Sequence, residues 1–308
     1  MSQAPELDRG LVVASHGRHV VVETPEGRQL ICHPRGKKNQ AVVGDRVLWL
    51  ASGDEGSIEK VEQRRNLFYR QDDIRTKSFA ANLDQVLILI AAEPEFSESQ
   101  LARALVAAEA ERIQPLIALN KSDLGDLFAR AWARLEPYRR MGYTVLPLNL
   151  KAPGCPAELV ALQMQLRDKA TLVLGPSGAG KSTLINRLVP GAQAQTGEIS
   201  TALNSGKHTT TSTRWYWVDE ARQTALIDSP GFQEFGLQHI EAAQLASLMP
   251  DLRTHAGACR FYNCSHLHEP GCGVMAAVDE NSGGAGISPS RYRIYSELHA
   301  ELSQAPRY

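Results

Sequence analysis

The sequence predicts a multidomain protein with an N-terminal OB-like β-barrel, a central α/β domain built on a parallel sheet, and a C-terminal α-helical domain. Three observations predict it. Short alternating runs rich in β-branched residues fill residues 11 to 61, apolar strands alternate with helically spaced segments from residue 84 onward, and cysteines crowd into one late stretch. Length agrees, because 308 residues exceed one ordinary core. The domains are placed at 1–70, 71–238 and 239–308.

Composition narrows the class. Apolar residues at 43% with 22% charged describe a folded globular chain. A formal net charge of −1 excludes a basic field over the whole molecule, so any nucleic-acid surface must be local. The longest apolar run, Val86 to Ala92, is too short to cross a bilayer. Met1-Ser2-Gln3-Ala4-Pro5-Glu6 has neither the basic nor the apolar region of a secretory signal. A cytoplasmic monomer without membrane contact is expected.

In the first domain, Leu11-Val12-Val13-Ala14, His19-Val20-Val21-Val22, Leu30-Ile31-Cys32, Arg46-Val47-Leu48-Trp49-Leu50 and Ser57-Ile58-Glu59-Lys60-Val61 read as strands separated by glycine-bearing turns. Basic residues recur through it and just beyond, and Trp49, Phe68 and Tyr69 are expected to be available for stacking on RNA bases. Residues Arg64 to Ala80 are polar and read as a linker. Asp84 to Ala91 then looks like a central strand, Ser99 to Arg112 has helical spacing, and Pro115 to Leu119 is the next strand. A helix from Phe128 to Met141 and a strand from Thr144 to Leu148 continue the alternation.

The motifs sit at the strand ends. Thr171-Leu172-Val173-Leu174 leads into Gly175-Pro176-Ser177-Gly178-Ala179-Gly180-Lys181-Ser182-Thr183, a complete G-x-x-x-x-G-K-[ST] loop opening a helix. Such a loop turns backbone N–H groups toward a polyphosphate, with Lys181 reaching the outer phosphates and Ser182 ligating Mg²⁺. Asn120-Lys121-Ser122-Asp123 closes another strand. There Asp123 could accept from the ring N–H and exocyclic amine of guanine, Asn120 could tie the base edge to neighbouring loops, and the Lys121 stem could cover the ring. Asn149-Leu150-Lys151 falls where a second base-contacting loop belongs, without the usual Ser-Ala. Asp228-Ser229-Pro230-Gly231 is a D-x-x-G at a further strand end, with Asp228 suited to hold Mg²⁺ through water and the Gly231 N–H to sense a γ-phosphate. Between them, Gly206 to Thr213 is rich in hydroxyls that could complete the Mg²⁺ shell.

Residues 240 to 250 read as helical, and a last helix starts at Pro289. Between them, Cys259, Cys264, His266 and Cys272 form C-x₄-C-x-H-x₅-C, a Cys₃His set with no open position, which points to one structural Zn²⁺. His268 is the alternative fourth ligand.

The order of these motifs is unusual. Ordinary small GTPases place the phosphate loop first and N-K-x-D late, whereas here Asn120–Asp123 precedes Gly175–Ser182, which precedes Asp228–Gly231. That is a circularly permuted P-loop GTPase domain. With a β-barrel before it and the Cys₃His cluster after it, together with Gly44-Asp45-Arg46-Val47 and Ala80-Ala81-Asn82-Leu83-Asp84-Gln85, the chain resembles the RsgA (YjeQ/YloQ) family over nearly its full length. The resemblance implies GTP and GDP as ligands, a 30S ribosomal subunit and its 16S rRNA as partners, and a late-maturation GTPase released by subunit-stimulated hydrolysis. It also implies His266 over His268 as zinc ligand. By the same resemblance Thr210 would be the switch hydroxyl on Mg²⁺ beside Ser182. Because Phe232 stands where other GTPases carry a water-orienting glutamine, His208 is the candidate to position water.

Overall fold

The computed structural model of the chain describes residues 7–17, 19–35, 40–71, 76–192, 213–231, 235–278 and 286–304. Strands β1 (Asp8–Ser15), β2 (Val20–Glu23), β3 (Gln29–Pro34), β4 (Arg46–Ser52) and β5 (Glu55–Val61) come first. They pair in the order β1, β2, β3, β5, β4 and back to β1, so the sheet closes on itself as a barrel. Alternate side chains, among them Val12, Val22, Val47 and Ile58, fill its small core. The expected OB-like barrel is present.

The polar stretch after it is not a linker. It folds as the hairpin β6 (Leu67–Gln71) and β7 (Thr76–Ala81). Phe68 and Phe79 anchor it, their rings 5.8 and 6.0 Å from Phe235. Burial also overturns two of the expected stacking residues: Trp49 lies inside the barrel at 6% exposure, and Phe68 is fully buried. Tyr69 is half-buried, with its ring 4.4 Å from that of His239.

An alternation of strands and helices follows: β8 (Gln85–Ala91), α1 (Glu98–Ala110), β9 (Gln114–Asn120), α2 (Gly125–Arg134), α3 (Glu136–Arg140), β10 (Thr144–Pro147), α4 (Ala157–Leu166), β11 (Ala170–Leu174), α5 (Lys181–Leu188), β12 (Arg214–Trp217) and β13 (Ala225–Asp228). In the sheet they run β10-β9-β8-β11-β13-β12, all parallel except β12. Strand β8 is buried along its whole length: Val86, Ile88 and Ile90 join α1 on one face, while Leu87 and Leu89 join α4 and α5 on the other. The single helix expected over 128–141 is two, α2 and α3, because Pro137 cannot donate to a preceding turn. Helix α4 is an element the sequence reading does not assign.

The expected helix over 240–250 is a 3₁₀ segment, Ala242–Leu248, followed by α6 (Pro250–Ala256), α7 (Gly273–Ala276) and α8 (Pro289–Leu302). Leu245, Leu252, Val274, Ile294 and Leu298 belong to the same apolar cluster as Ile88 and Leu105, so the C-terminal segment shares the core of the α/β domain. Strand β1 meets β12 through Ala14 and Arg214, which joins barrel and sheet. No helix among the described residues is long and apolar enough to cross a membrane.

Candidate nucleotide site and metal centre

Parallel strands send their carboxyl ends to one edge of a sheet, and the motif loops leave from that edge. Strand β9 ends at Asn120, β11 at Leu174 and β13 at Asp228. Gly175 lets the phosphate loop depart beside β8, since a Cβ there would lie 2.1 Å from the Leu89 carbonyl oxygen.

Asn120 joins three loops. Its Nδ2 donates to the Ala179 carbonyl at 2.9 Å, and its Oδ1 accepts from the Leu150 N–H at 3.2 Å. It is 4% exposed, so both bonds are sheltered from water. Gly180, with φ of +108°, leaves room for that amide, which a Cβ would approach to 2.6 Å. Lys121 is left-handed at φ of +69°, and its Nζ donates to the Glu93 carbonyl. Asp123 is exposed in the 3₁₀ turn Ser122–Leu124 that follows.

On the phosphate side, Lys181 opens α5 and donates to the carbonyls of Gly175 at 2.8 Å and Pro176 at 3.0 Å. Burial pushes its pKa down, against the opposing pull of Asp228. Asp228 is 3% exposed. Burial pushes its carboxyl up to about 6, with Lys181 and the Ser229 N–H pulling the other way. Its Oδ1 has no hydrogen-bond partner among the described residues. Gly231 passes over the phosphate loop: a Cβ on it would stand 3.2 Å from Lys181 Nζ and 3.7 Å from the Ser177 nitrogen. A desolvated ammonium, an orphaned buried carboxylate oxygen and a glycine-rich loop suit a polyphosphate with its cation. The Asp228 carboxylate and Ser182 hydroxyl are hard oxygen donors of the kind Mg²⁺ takes. Asn120, Gly175–Thr183, Asp228 and Gly231 are thus brought together, and Lys121 and Asp123 leave the same sheet edge. His208, Thr210 and Phe232 lie outside the described residues.

The second centre is the cysteine loop. The ligand atoms of Cys259, Cys264, His266 and Cys272 all lie within 4.8 Å of one another. His266 Nδ1 is 3.4 Å from Cys259 Sγ and 3.5 Å from Cys272 Sγ. His266 is buried while His268 is exposed, which favours His266 as the inward imidazole. Three soft thiolates and one imidazole at this spacing fit a closed tetrahedral Zn²⁺. The loop is held from outside: Tyr292 and Tyr295 of α8 donate to the carbonyls of His266 and Ser265, each at 2.7 Å. The Glu269 carboxylate accepts from the N–H groups of Ser265, Leu267 and His268, and the bonds at Ser265 hold its pKa well below the usual range.

Sequence reasoning misses Arg187, which reaches from α5 into the 150–154 loop. It also misses Glu93 and the part that Tyr292 and Tyr295 play in holding the cysteine loop. An arginine inside a helix and a backbone carbonyl carry no motif, so no signal marks them.

The RsgA GTPase family model matches residues 61–238. The chain is 74% identical over 299 residues to a Variovorax paradoxus protein named Small ribosomal subunit biogenesis GTPase RsgA, covering 97% of this chain and 94% of that one. It is 50% identical over 312 residues to the protein of that name from Paraburkholderia phytofirmans, covering 99% and 97%. Among solved structures it is similar to YjeQ from Thermotoga maritima, with a TM-score of 0.75, 28% identity and coverage of 97% of this chain and 100% of that one. It is also similar to YloQ, described as a circularly permuted GTPase, with a TM-score of 0.71, 28% identity and coverage of 100% and 99%.

Proposed function

Because the chain belongs to the RsgA GTPase family and is a GTPase, we propose that it acts late in maturation of the small ribosomal subunit, binding the 30S particle with GTP and leaving when the particle stimulates hydrolysis. The names of the Variovorax and Paraburkholderia relatives support the subunit as partner. The observation that carries the nucleotide half is the Asn120 bridge, which ties the N-K-x-D loop to the phosphate loop at Ala179 across a sequence separation of 59. One ligand can therefore span Asp123 and Lys181.

In this reading Asp123 accepts from guanine, and Lys181 leaves the Gly175 and Pro176 carbonyls to neutralise charge on the transferring phosphoryl group. The Gly231 N–H reports whether a γ-phosphate is present. Ser182 and Thr210 would hold Mg²⁺, with Asp228 acting through water, and the cation would supply charge neutralisation when bound. His208 orients the attacking water. The barrel and the zinc loop grip 16S rRNA. Phe261 and Tyr262 support the second contact, since both stand exposed on the zinc loop with the Arg260 guanidinium 5.5 Å from the Phe261 ring centre. Differential affinity of the GTP and GDP states for the subunit converts hydrolysis into release.

Phosphate release measured with free protein, with 30S and with 50S subunits tests the reading. Strong stimulation by 30S alone is expected, and equal rates in all three would overturn it. His208→Ala should lose most of the 30S-stimulated rate while still binding GTP; a rate equal to wild type at saturating 30S removes His208 from the mechanism.

A further inference from the structure

The Asn149-Leu150-Lys151 loop lies in the position of a base-contacting loop but lacks the Ser-Ala that such loops usually carry. The structure holds this loop by other means. Leu150 donates its N–H to Asn120 Oδ1 at 3.2 Å, so the loop shares the residue that bridges to the phosphate loop. Asn149 Oδ1 accepts from the N–H groups of Lys151 and Ala152, both at 3.0 Å, which folds the turn on itself. From the opposite side comes Arg187, two turns into α5. Its Nη1 donates to the carbonyls of Leu150 at 2.8 Å and Ala152 at 2.6 Å, and its Nη2 donates to that of Gly154.

We propose that Arg187 is a positioning residue for guanine-nucleotide binding: it clamps the 150–154 loop to the helix that starts in the phosphate loop, and so fixes the wall of the base pocket relative to the phosphates. A guanidinium suits this task because its planar fork satisfies several carbonyls at once, whereas an ammonium offers a point charge. The side chain is half-buried, so water competes poorly for these carbonyls. The loop carbonyls would otherwise repel one another on one side of the turn. The clamp acts through backbone only, so it is indifferent to which purine substituent Asp123 reads. The inference rests on the reading of Asn120–Asp123 as the base site.

That separation of roles sets the test. Full-length Arg187→Ala, Arg187→Lys and Asp123→Asn proteins are titrated with GDP, IDP, XDP and inorganic tripolyphosphate, and GTP turnover is followed as KM and kcat. For Arg187→Ala, GDP and IDP affinities should fall together by about tenfold, the size expected from lost charged hydrogen bonds. Their ratio should hold, tripolyphosphate binding should hold, and the loss should fall on KM rather than kcat. Arg187→Lys should lie between the two. Wild-type GDP affinity in both Arg187 variants overturns the proposal. So does an equal loss of tripolyphosphate affinity, which would make Arg187 a support of the phosphate-loop helix alone. If Asp123→Asn leaves the preference among GDP, IDP and XDP unchanged, the base-site reading itself is wrong, which is a different result from either Arg187 outcome.

Discussion

At Asn120 one amide satisfies a carbonyl on the phosphate loop and an N–H on the 150–154 loop, both away from water. Truncation to alanine strands two buried backbone groups, each costing about 1–3 kcal/mol. Asn120→Ala should therefore weaken GDP binding by roughly tenfold to a hundredfold, measured by titration with a fluorescent guanine nucleotide, and lower the thermal midpoint in the absence of nucleotide. Unchanged affinity would mean the loops hold their places without it. The role of Asn120 is legible in sequence because a tetrapeptide at a strand end has few chemical uses once a phosphate loop is also present. Arg187 is not legible on the same terms. Its partners are carbonyls, every residue carries one, and only the folded chain decides which come within reach.

Among the elements, the hairpin of β6 and β7 shows why alternation can hide in a polar stretch. Among its described residues only Phe68 and Phe79 to Ala81 are buried, so polar neighbours dominate the composition while two phenylalanines dock the strands on Phe235. The same locality explains the rest. The central strands announce themselves because both faces are buried, the break between α2 and α3 follows from Pro137, and α4 opens after Pro156 with no side-chain cap to mark its start. The hairpin pairs with the segment after Gly231: Gln71 N–H donates to the Gly236 carbonyl at 3.1 Å, and Gln238 N–H to the Gln71 carbonyl at 3.0 Å. The His239 ring in this segment lies tilted against that of Tyr69, and among the described residues neither of its nitrogens has a hydrogen-bond partner. Burial lowers its pKa below 6.5. The unfolded ring takes up a proton near 6.5 and the folded ring only at lower pH, so stability contributed here is present above 6.5 and lost as pH falls below it. Amide exchange of residues 67–71 and 76–81 should accelerate as pH drops from 7.5 towards 5.5, after correction for the intrinsic rate, and His239→Phe should remove that acceleration. An identical pH response in His239→Phe would assign it elsewhere.

Over the whole molecule, motif order alone reveals the permutation, because it can be read without knowing a single contact. How the barrel meets the nucleotide domain cannot be read that way: Gly44, Asp45 and Asn82 stand in stretches that carry the family resemblance, but only the folded chain shows that they meet. Asp45, fully buried, takes both arms of Arg64 at 2.7 and 2.8 Å, and Asn82 Nδ2 donates to the Gly44 carbonyl at 2.9 Å. On the other side Glu23 of β2, 6% exposed, accepts from Trp217 Nε1 at 2.7 Å and from Gln29 Nε2 at 2.8 Å, with Arg222 Nη1 at 3.6 Å. Trp217 belongs to β12, which pairs with β13, and β13 ends in Asp228. The barrel is thus fastened to the strand next to the one that leads into Asp228-Ser229-Pro230-Gly231. Removing the acceptor leaves the Trp217 indole N–H without its partner at the junction, a loss of about 1–3 kcal/mol, while the exposed Gln29 amide turns to water. Glu23→Ala should open the junction, seen as a red shift of tryptophan emission and faster proteolysis between the barrel and β12, while GDP affinity stays at the wild-type level. Glu23→Gln keeps an acceptor for Trp217 but drops the charge facing Arg222, and should show a smaller version of the same change. Should both variants resist protease as wild type does, the Arg64–Asp45 side holds the barrel by itself, and the link from Asp228 through β12 to the barrel carries no mechanical load.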